Sequence, residues 1–413
     1  MIVASLTGAV LVFEEELKLA FDRDWHYAPS ETSVEPAEVR LNELAPVAQA
    51  AAGDGERLSD VYVFNEPRRS VIFVFRDGPF DRRTITRVAV DPVSASAIEV
   101  RRGESGAEAF FRITTVIHES LFLGTPGAVV VELVTGWGVV LVVSGIMLWW
   151  PRAWRTLAGV WSIRNAGPKY RVWRDWHTVP SAYLAIPAAF VLLTGMFLSV
   201  GTGQVWTLGT LMSGGIPDTL LSPPTIDATA SGPVDLDAAL QAAITARPDA
   251  PLYDIGLPFS ENDSVRVVAG SVAEPIGTMY VYVHPTSGEV LAADGQASLP
   301  LHGQPLALAY GIHVGGIGGI TTKIIALLVC IGLIAGTITG LVMWLVRRPE
   351  GKLGAPKPVN AATARWYATG GCALGVLMPS FGISLALILV GGFVARKLSP
   401  TPQPSHGANG APR

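Results

Sequence analysis

Cysteine is scarce in this chain: Cys330 and Cys372 are the only two, and both lie inside apolar stretches. That excludes a disulfide framework and a cysteine-built zinc site, and leaves each thiol to be read as a small buried hydrophobe. Charge is thin as well, at 15% of residues against 49% apolar, with a mean hydropathy of +0.40. The long polar regions show no nucleophile triad and no phosphate-binding glycine loop. The N-terminus has no basic stretch and no clear small-residue cleavage site, which argues against a secretory signal peptide.

Charge is missing where apolar residues gather. Ala128–Trp150, Val179–Val200, Ile320–Val346 and Tyr367–Val394 contain one acid, Glu132, and one basic residue, Lys323. Each run reaches the length of about 20 residues that a helix needs to cross hydrocarbon. A fifth run, Ile2–Phe13, ends in Glu14, Glu15 and Glu16. It covers only about 18 Å of a bilayer core roughly 30 Å thick, so it reads as the outer part of a first span.

The small net charge of −4 conceals an asymmetry. Arg152, Arg155, Arg164, Lys169, Arg171 and Arg174 crowd one short connection against Asp175. Arg347, Arg348, Lys352, Lys357 and Arg365 crowd another against Glu350. An excess of Lys and Arg on short connections places them on the cytoplasmic side, so the long regions 14–117 and 201–312 are expected outside. These arginines flank spans and form no separate basic domain, which argues against nucleic acid as a partner.

Both external regions read as α+β. In the first, a helix over Glu38–Ala52 precedes alternating runs at Asp60–Phe64, Ser70–Phe75 and Thr84–Val90. In the second, a helix over Asp235–Ala246 precedes strands at Ser264–Ala269 and Met279–Val283, with a turn at Pro285 and Gly288. Period-two alternation bounded by turn residues predicts antiparallel sheet in each, and so two related modules.

The spans themselves repeat. Thr7-Gly8, Ser144-Gly145, Thr194-Gly195 and Thr339-Gly340 each put a hydroxyl before a glycine near a span end. Close helix packing in lipid is the bland explanation for such pairs. Histidines add to the register. One interval separates His118 from Gly145 and His313 from Gly340; each histidine is followed by a glycine (Gly124, Gly319), and each span ends in Trp then Arg. His177 stands a shorter interval before Gly195, beside Trp173, Arg174 and Trp176. The same shorter interval taken back from Gly8 places a histidine about ten residues before Met1.

An imidazole at a helix end can bond backbone groups, move protons, or ligate a metal or haem. For one histidine the first is the ordinary case; a matched pair points toward the third. Of the others, His302 breaks the register, His284 falls in the hairpin turn, His26 sits beside Trp25 just outside the first span, and His406 is in the Pro/Gly/Ala-rich tail.

Several stretches together resemble a known family. Leu6-Thr-Gly-Ala-Val-Leu-Val-Phe13, His118-Glu-Ser-Leu-Phe-Leu-Gly124 and Ser144-Gly-Ile-Met-Leu-Trp-Trp-Pro-Arg152 resemble the PepSY-associated transmembrane family of bacterial inner-membrane proteins. His313-Val-Gly-Gly-Ile-Gly-Gly319 and Thr339-Gly-Leu-Val-Met-Trp344 do so too, and Val281–Leu291 is similar to its PepSY hairpin. Members include iron-regulated proteins and haem-containing reductases of ferric siderophores. The resemblance implies an outer haem b ligated by His118 and His313, and His177 as one ligand of an inner haem. In the family the other inner histidine stands early in the first helix, a part this chain lacks.

The expected fold is an α-helical integral membrane protein of about five spans, the first truncated, with two α+β PepSY-like external modules. Its expected order is a truncated helix at 1–13, a periplasmic module at 14–117, a His-bearing segment and second helix at 118–150, and a basic loop at 151–176. A third helix at 177–200, a PepSY-like module at 201–312, and a His-bearing segment and fourth helix at 313–346 come next. A basic loop at 347–365, a fifth helix at 366–395 and a disordered tail at 396–413 complete it. The expected function is haem-mediated electron transfer across the inner membrane, from a cytoplasmic donor to a periplasmic ferric siderophore or similar chelate. The rival is a non-enzymatic accessory protein whose modules bind a periplasmic partner or peptidase. A transporter is less well supported, because no span carries paired charges at mid-membrane.

Overall fold

In the computed structural model the described residues are all but 54, 77–84, 151–159, 217, 228–231, 351–360 and 399–413. Arg152, Arg155, Lys352, Lys357, His406 and most of the expected tail therefore lie outside the description. The chain divides into two units, Met1–Gly354 and Ala355–Arg413.

The first unit opens with α1 (Ile2–Leu11), α2 (Glu14–Phe21), α3 (Arg23–His26) and α4 (Leu41–Ala52). Strands β1 (Arg57–Phe64), β2 (Val71–Arg76), β3 (Thr86–Asp91) and β4 (Ser96–Arg102) come next. Five helices follow: α5 (Gly106–Ser120), α6 (Gly124–Trp149), α7 (Lys169–Phe197), α8 (Thr202–Met212) and α9 (Asp218–Leu221). The second polar region adds α10 (Leu236–Ala246), then β5 (Leu252–Gly256), β6 (Val265–Ala269), β7 (Met279–Val283) and β8 (Val290–Gly295). Helices α11 (Gln304–His313) and α12 (Gly319–Arg347) complete the unit.

The two polar regions build one sheet. Eight strands run in the order β4-β3-β2-β1-β5-β6-β7-β8, antiparallel throughout, with the seam at β1 and β5. Tyr62 faces Asp254 and Val63 faces Tyr253 across it. Period-two alternation sends Val61, Val63, Phe73, Phe75, Val88 and Val90 from one half to the same buried face as Tyr253, Ile255, Val265, Val267, Val281 and Val283 from the other. Helices α4 and α10 cover that face through Leu41, Leu44, Leu236 and Leu240. Each such side chain contributes on the order of 1.5–3 kcal/mol when fully buried. Asn42 ties the two helices together, donating to Asp235 Oδ1 at 2.8 Å and accepting from Leu236 N at 3.0 Å. Because both polar regions enter one sheet, they lie on one side of any membrane that α6 and α7 cross between them.

Helices α6, α7 and α12 are each long and apolar enough to span. The two charges noted inside apolar runs are both engaged. Lys323 on α12 donates to Glu16 on α2 at 2.7 and 2.8 Å. Buried Glu132 on α6 accepts from Gly201 N, Thr202 N and Thr202 Oγ1 at 2.8, 2.8 and 2.7 Å, which caps the N-terminus of α8. The sheet is held to the helices by Arg87 on β3, bonded to Glu108 of the Ser105/Glu108 capping box that starts α5. Arg101 on β4, paired with Asp22, makes a second tie.

The fifth helix expected over 366–395 is two helices, α13 (Ala361–Leu377) and α14 (Pro379–Leu398). Pro379 has no N–H to continue a ladder. Gly375 and Gly382 approach so closely that a Cβ on either would meet the other's backbone within 3.0 Å. The apolar run is thus a helical hairpin. Cys330 is buried as expected, whereas Cys372, on α13, is exposed.

Candidate functional site

Helix α5 carries His118 close to its end, and the chain then turns sharply into α6. Leu121 and Phe122 take left-handed backbone angles (φ 52° and 61°), and Gly124 opens α6 at φ 60°. Two non-glycine residues in that region cost on the order of 1 kcal/mol or more each. The second copy makes the same turn with glycines: α11 ends at His313, Gly315 has φ 71°, and Gly319 opens α12 at φ 60°. The glycine shared by the two histidine motifs is thus a turn residue. The turns bring His118 and His313 face to face, with ring centroids 6.0 Å apart and planes inclined at 57°.

Each ring is seated on a different helix in the same manner. His118 Nδ1 lies 2.9 Å from Ala4 O and 3.0 Å from Thr7 Oγ1 on α1. His313 Nδ1 lies 2.9 Å from Val191 O and 3.5 Å from Thr194 Oγ1 on α7. Next to each threonine is a glycine whose missing Cβ makes room for the ring. A Cβ at Gly8 would come within 3.2 Å of His118 Cε1, and one at Gly195 within 3.0 Å of His313 Cε1. Farther along the bundle, His177 Nδ1 sits 3.0 Å from Thr339 Oγ1 on α12, and a Cβ at Gly340 would lie 3.4 Å from its Cε1.

The chemistry of the seat fixes the tautomer. A carbonyl oxygen only accepts, so the Nδ1 facing Ala4 O or Val191 O carries the proton. In the neutral ring the lone pair is then on Nε2. Thr339 spends its own O–H on Ala335 O at 2.7 Å, so it too accepts from the ring of His177. The fourth hydroxyl–glycine pair has the same local form. Ser144 donates back to Val140 O at 2.7 Å, yet among the described residues nothing lies within 4 Å of a Cβ at Gly145.

The hydroxyl–glycine pairs at positions 7, 194 and 339, read from the sequence as helix packing, are seats for histidine. The histidines provide the missing signal, since each seat is matched by one on another segment. Among the described residues no group of three or more His, Cys, Asp or Glu converges as a metal set, so two-imidazole geometry is what the site offers.

The other described histidines lie elsewhere. His302 Nε2 is 2.8 Å from Ser213 Oγ just beyond α8. His284 Nδ1 lies 3.4 Å from the amide nitrogens of Thr286 and Ser287, inside the β7–β8 turn. His26 is pressed beneath the sheet beside Arg69; burial, then that guanidinium, pushes it down to about 4. None joins the facing pair.

These motifs and this architecture match the family described as PepSY-associated TM region over residues 1–347. The chain belongs to that family. In this PepSY-associated protein the matched segment ends with α12, so it takes in the whole sheet, the three spans and every seated histidine. No curated protein matches the chain.

Proposed function

We propose that this PepSY-associated protein is a haem-mediated electron carrier of the bacterial inner membrane that reduces a ferric siderophore or similar chelate on the periplasmic side. The observation that carries the reading is the facing pair His118 and His313. Each has Nδ1 engaged by a carbonyl oxygen, which in the neutral ring leaves the Nε2 lone pair to donate. Their ring centroids stand 6.0 Å apart, close enough for both imidazoles to serve one metal centre.

His118 and His313 would hold a haem b, and His177 would supply one ligand to a second. A haem with two imidazole ligands moves single electrons and has no open coordination position for substrate. The chain's own part is to fix the rings, exclude water and keep one tautomer. For the ferric substrate, reduction to Fe(II) loosens a chelate of hard oxygen donors, because the ion is softer and less charged. No acid–base residue is then required.

The donor is expected at the cytoplasmic ends of α7 and α12. The arginines there have less free charge than their number implies. Arg164 and Arg174 both bind the buried carboxylate of Asp175, at 2.6 and 2.8 Å, and so shape the connection. Lys169, Arg171, Arg347 and Arg348, which form no ion pair among the described residues, remain to attract an acidic partner.

A reduced-minus-oxidised visible spectrum of detergent-purified protein tests the reading. The expected result is the paired sharp bands of a low-spin, bis-histidine haem, lost at the outer site in His313→Ala. A folded but colourless protein from haem-sufficient cells would reject it in favour of a non-enzymatic partner-binding role.

A further inference from the structure

We propose that Thr7 and Thr194 are positioning residues for the facing imidazoles, each offering its histidine Nδ1–H a second acceptor beside a helix carbonyl and so setting how strongly Nε2 donates. The inference rests on the haem reading only where it concerns donation to iron.

A threonine inside a helix commonly bonds back to the preceding turn, and an ordinary structural threonine does nothing more. Thr7 does bond back, donating to Val3 O at 2.9 Å, with Ala4 O at 3.1 Å. Thr194 does the same with Phe190 O at 2.7 Å and Val191 O at 3.0 Å. Those bonds use the hydroxyl proton and turn the oxygen lone pairs outward. In both cases an imidazole Nδ1 lies on that side, at 3.0 and 3.5 Å. The carbonyl that accepts most directly, Ala4 O or Val191 O, is three residues before the threonine, and the glycine that clears the ring is one residue after it. Carbonyl, hydroxyl and glycine therefore form one notch on a helix surface. His177 meets a third notch of the same form, with Thr339 Oγ1 3.0 Å from its ring and the backbone of Gly336, three residues before, also bonded to it.

The two notches are unequal. The carbonyl distances agree at 2.9 Å, while the hydroxyl stands nearer His118 than His313. An acceptor at Nδ1–H pushes electron density toward Nε2 and raises its basicity. His118 is then the stronger donor of the pair, and Thr7 the more influential hydroxyl. Valine copies the shape of threonine without the lone pairs, and serine keeps the lone pairs without the methyl group.

The first experiment needs no metal. In histidine-¹⁵N-labelled protein in detergent, Thr7→Val should move the Nδ1–H resonance of His118 toward that of a weaker hydrogen bond, leaving His313 in place. Thr7→Ser should restore it. Thr194→Val should move His313 alone, and by less. In haem-loaded protein, Thr7→Val should keep the low-spin spectrum and change the reduced-to-oxidised ratio at a fixed potential by up to about tenfold, toward reduced, the scale of one hydrogen bond. An unmoved His118 resonance in Thr7→Val, or a serine variant that behaves like valine, overturns the proposal. Should Thr7→Val fail to fold, Thr194→Val and its serine counterpart decide the question at the other notch. Colourless protein would remove the haem reading and leave the ring-resonance test intact.

Discussion

A methyl group is the smallest addition that could disturb a seated imidazole, and Gly8 and Gly195 are where it would act. At 3.2 and 3.0 Å from a ring carbon, the added atom would stand inside ordinary carbon–carbon contact, about 3.5–4.0 Å. Each ring is already pinned at Nδ1, so relief has to come from tilting, which moves Nε2 off its line. If the proposed haem is bound, Gly8→Ala and Gly195→Ala should lower the haem-to-protein ratio severalfold, measured by pyridine haemochrome assay. Gly145→Ala is the matched comparison and should leave loading unchanged, because its Cβ meets no described residue within 4 Å. Equal loading in all three variants would count against the seats. The histidines could be found in the sequence because their intervals repeat. The seats could not, since Thr-Gly in a span has the composition of close helix packing, and only the fold shows a ring against it.

At the scale of elements, α8 depends on a residue far from it in sequence. Its first amide groups would be unsatisfied at a helix start, and the Glu132 carboxylate reaches across from α6 to accept two of them and a hydroxyl. Glu132→Ala should cost about 1–3 kcal/mol, because buried N–H groups are left without partners. Glu132→Gln, which keeps one acceptor oxygen, should cost less. Apparent melting temperatures in detergent order the three proteins, and an alanine variant as stable as the parent would contradict the cap. Spans α6, α7 and α12 were legible from their uninterrupted apolar runs. The hairpin of α13 and α14 was not, because Pro379 and Ser380 sit in a run with no charged residue and the length of a single span, and the contact of Gly375 with Gly382 is tertiary. The break between α5 and α6 was hidden as well, whereas glycines mark the one between α11 and α12. Leu121 and Phe122 carry no turn signal in their side chains.

For the whole molecule the β1–β5 seam is the junction of the two halves, and its pairing could not be read from local alternation. Asp254 sits on that seam opposite Tyr62. Burial, with Asp60 adding to it, raises its carboxyl from 3.8 to about 6. The folded protein therefore holds a proton there that the unfolded chain has released between about pH 4 and 6. That stabilisation is present below pH 4 and is lost as pH rises through 6. His26 works the other way: depressed to about 4, it adds stability as pH rises from 4 toward 6.5. Asp254→Asn should remove the first effect, so its melting temperature should gain on the parent progressively from pH 4 to pH 7. A constant difference across that range would show that Asp254 does not titrate as placed.

The shared sheet also dictates an order of assembly. When β1 to β4 have formed, β1 is an open edge, because its neighbour β5 has not yet been made. Helices α6 and α7 must first be synthesised and inserted, which takes on the order of ten seconds or more at 5–20 residues per second. For that interval β1, with Val61 and Val63 alternating along it, stays unpaired, a ready template for wrong pairing. The first half of the protein is thus a nascent-chain hazard that only its own second half removes.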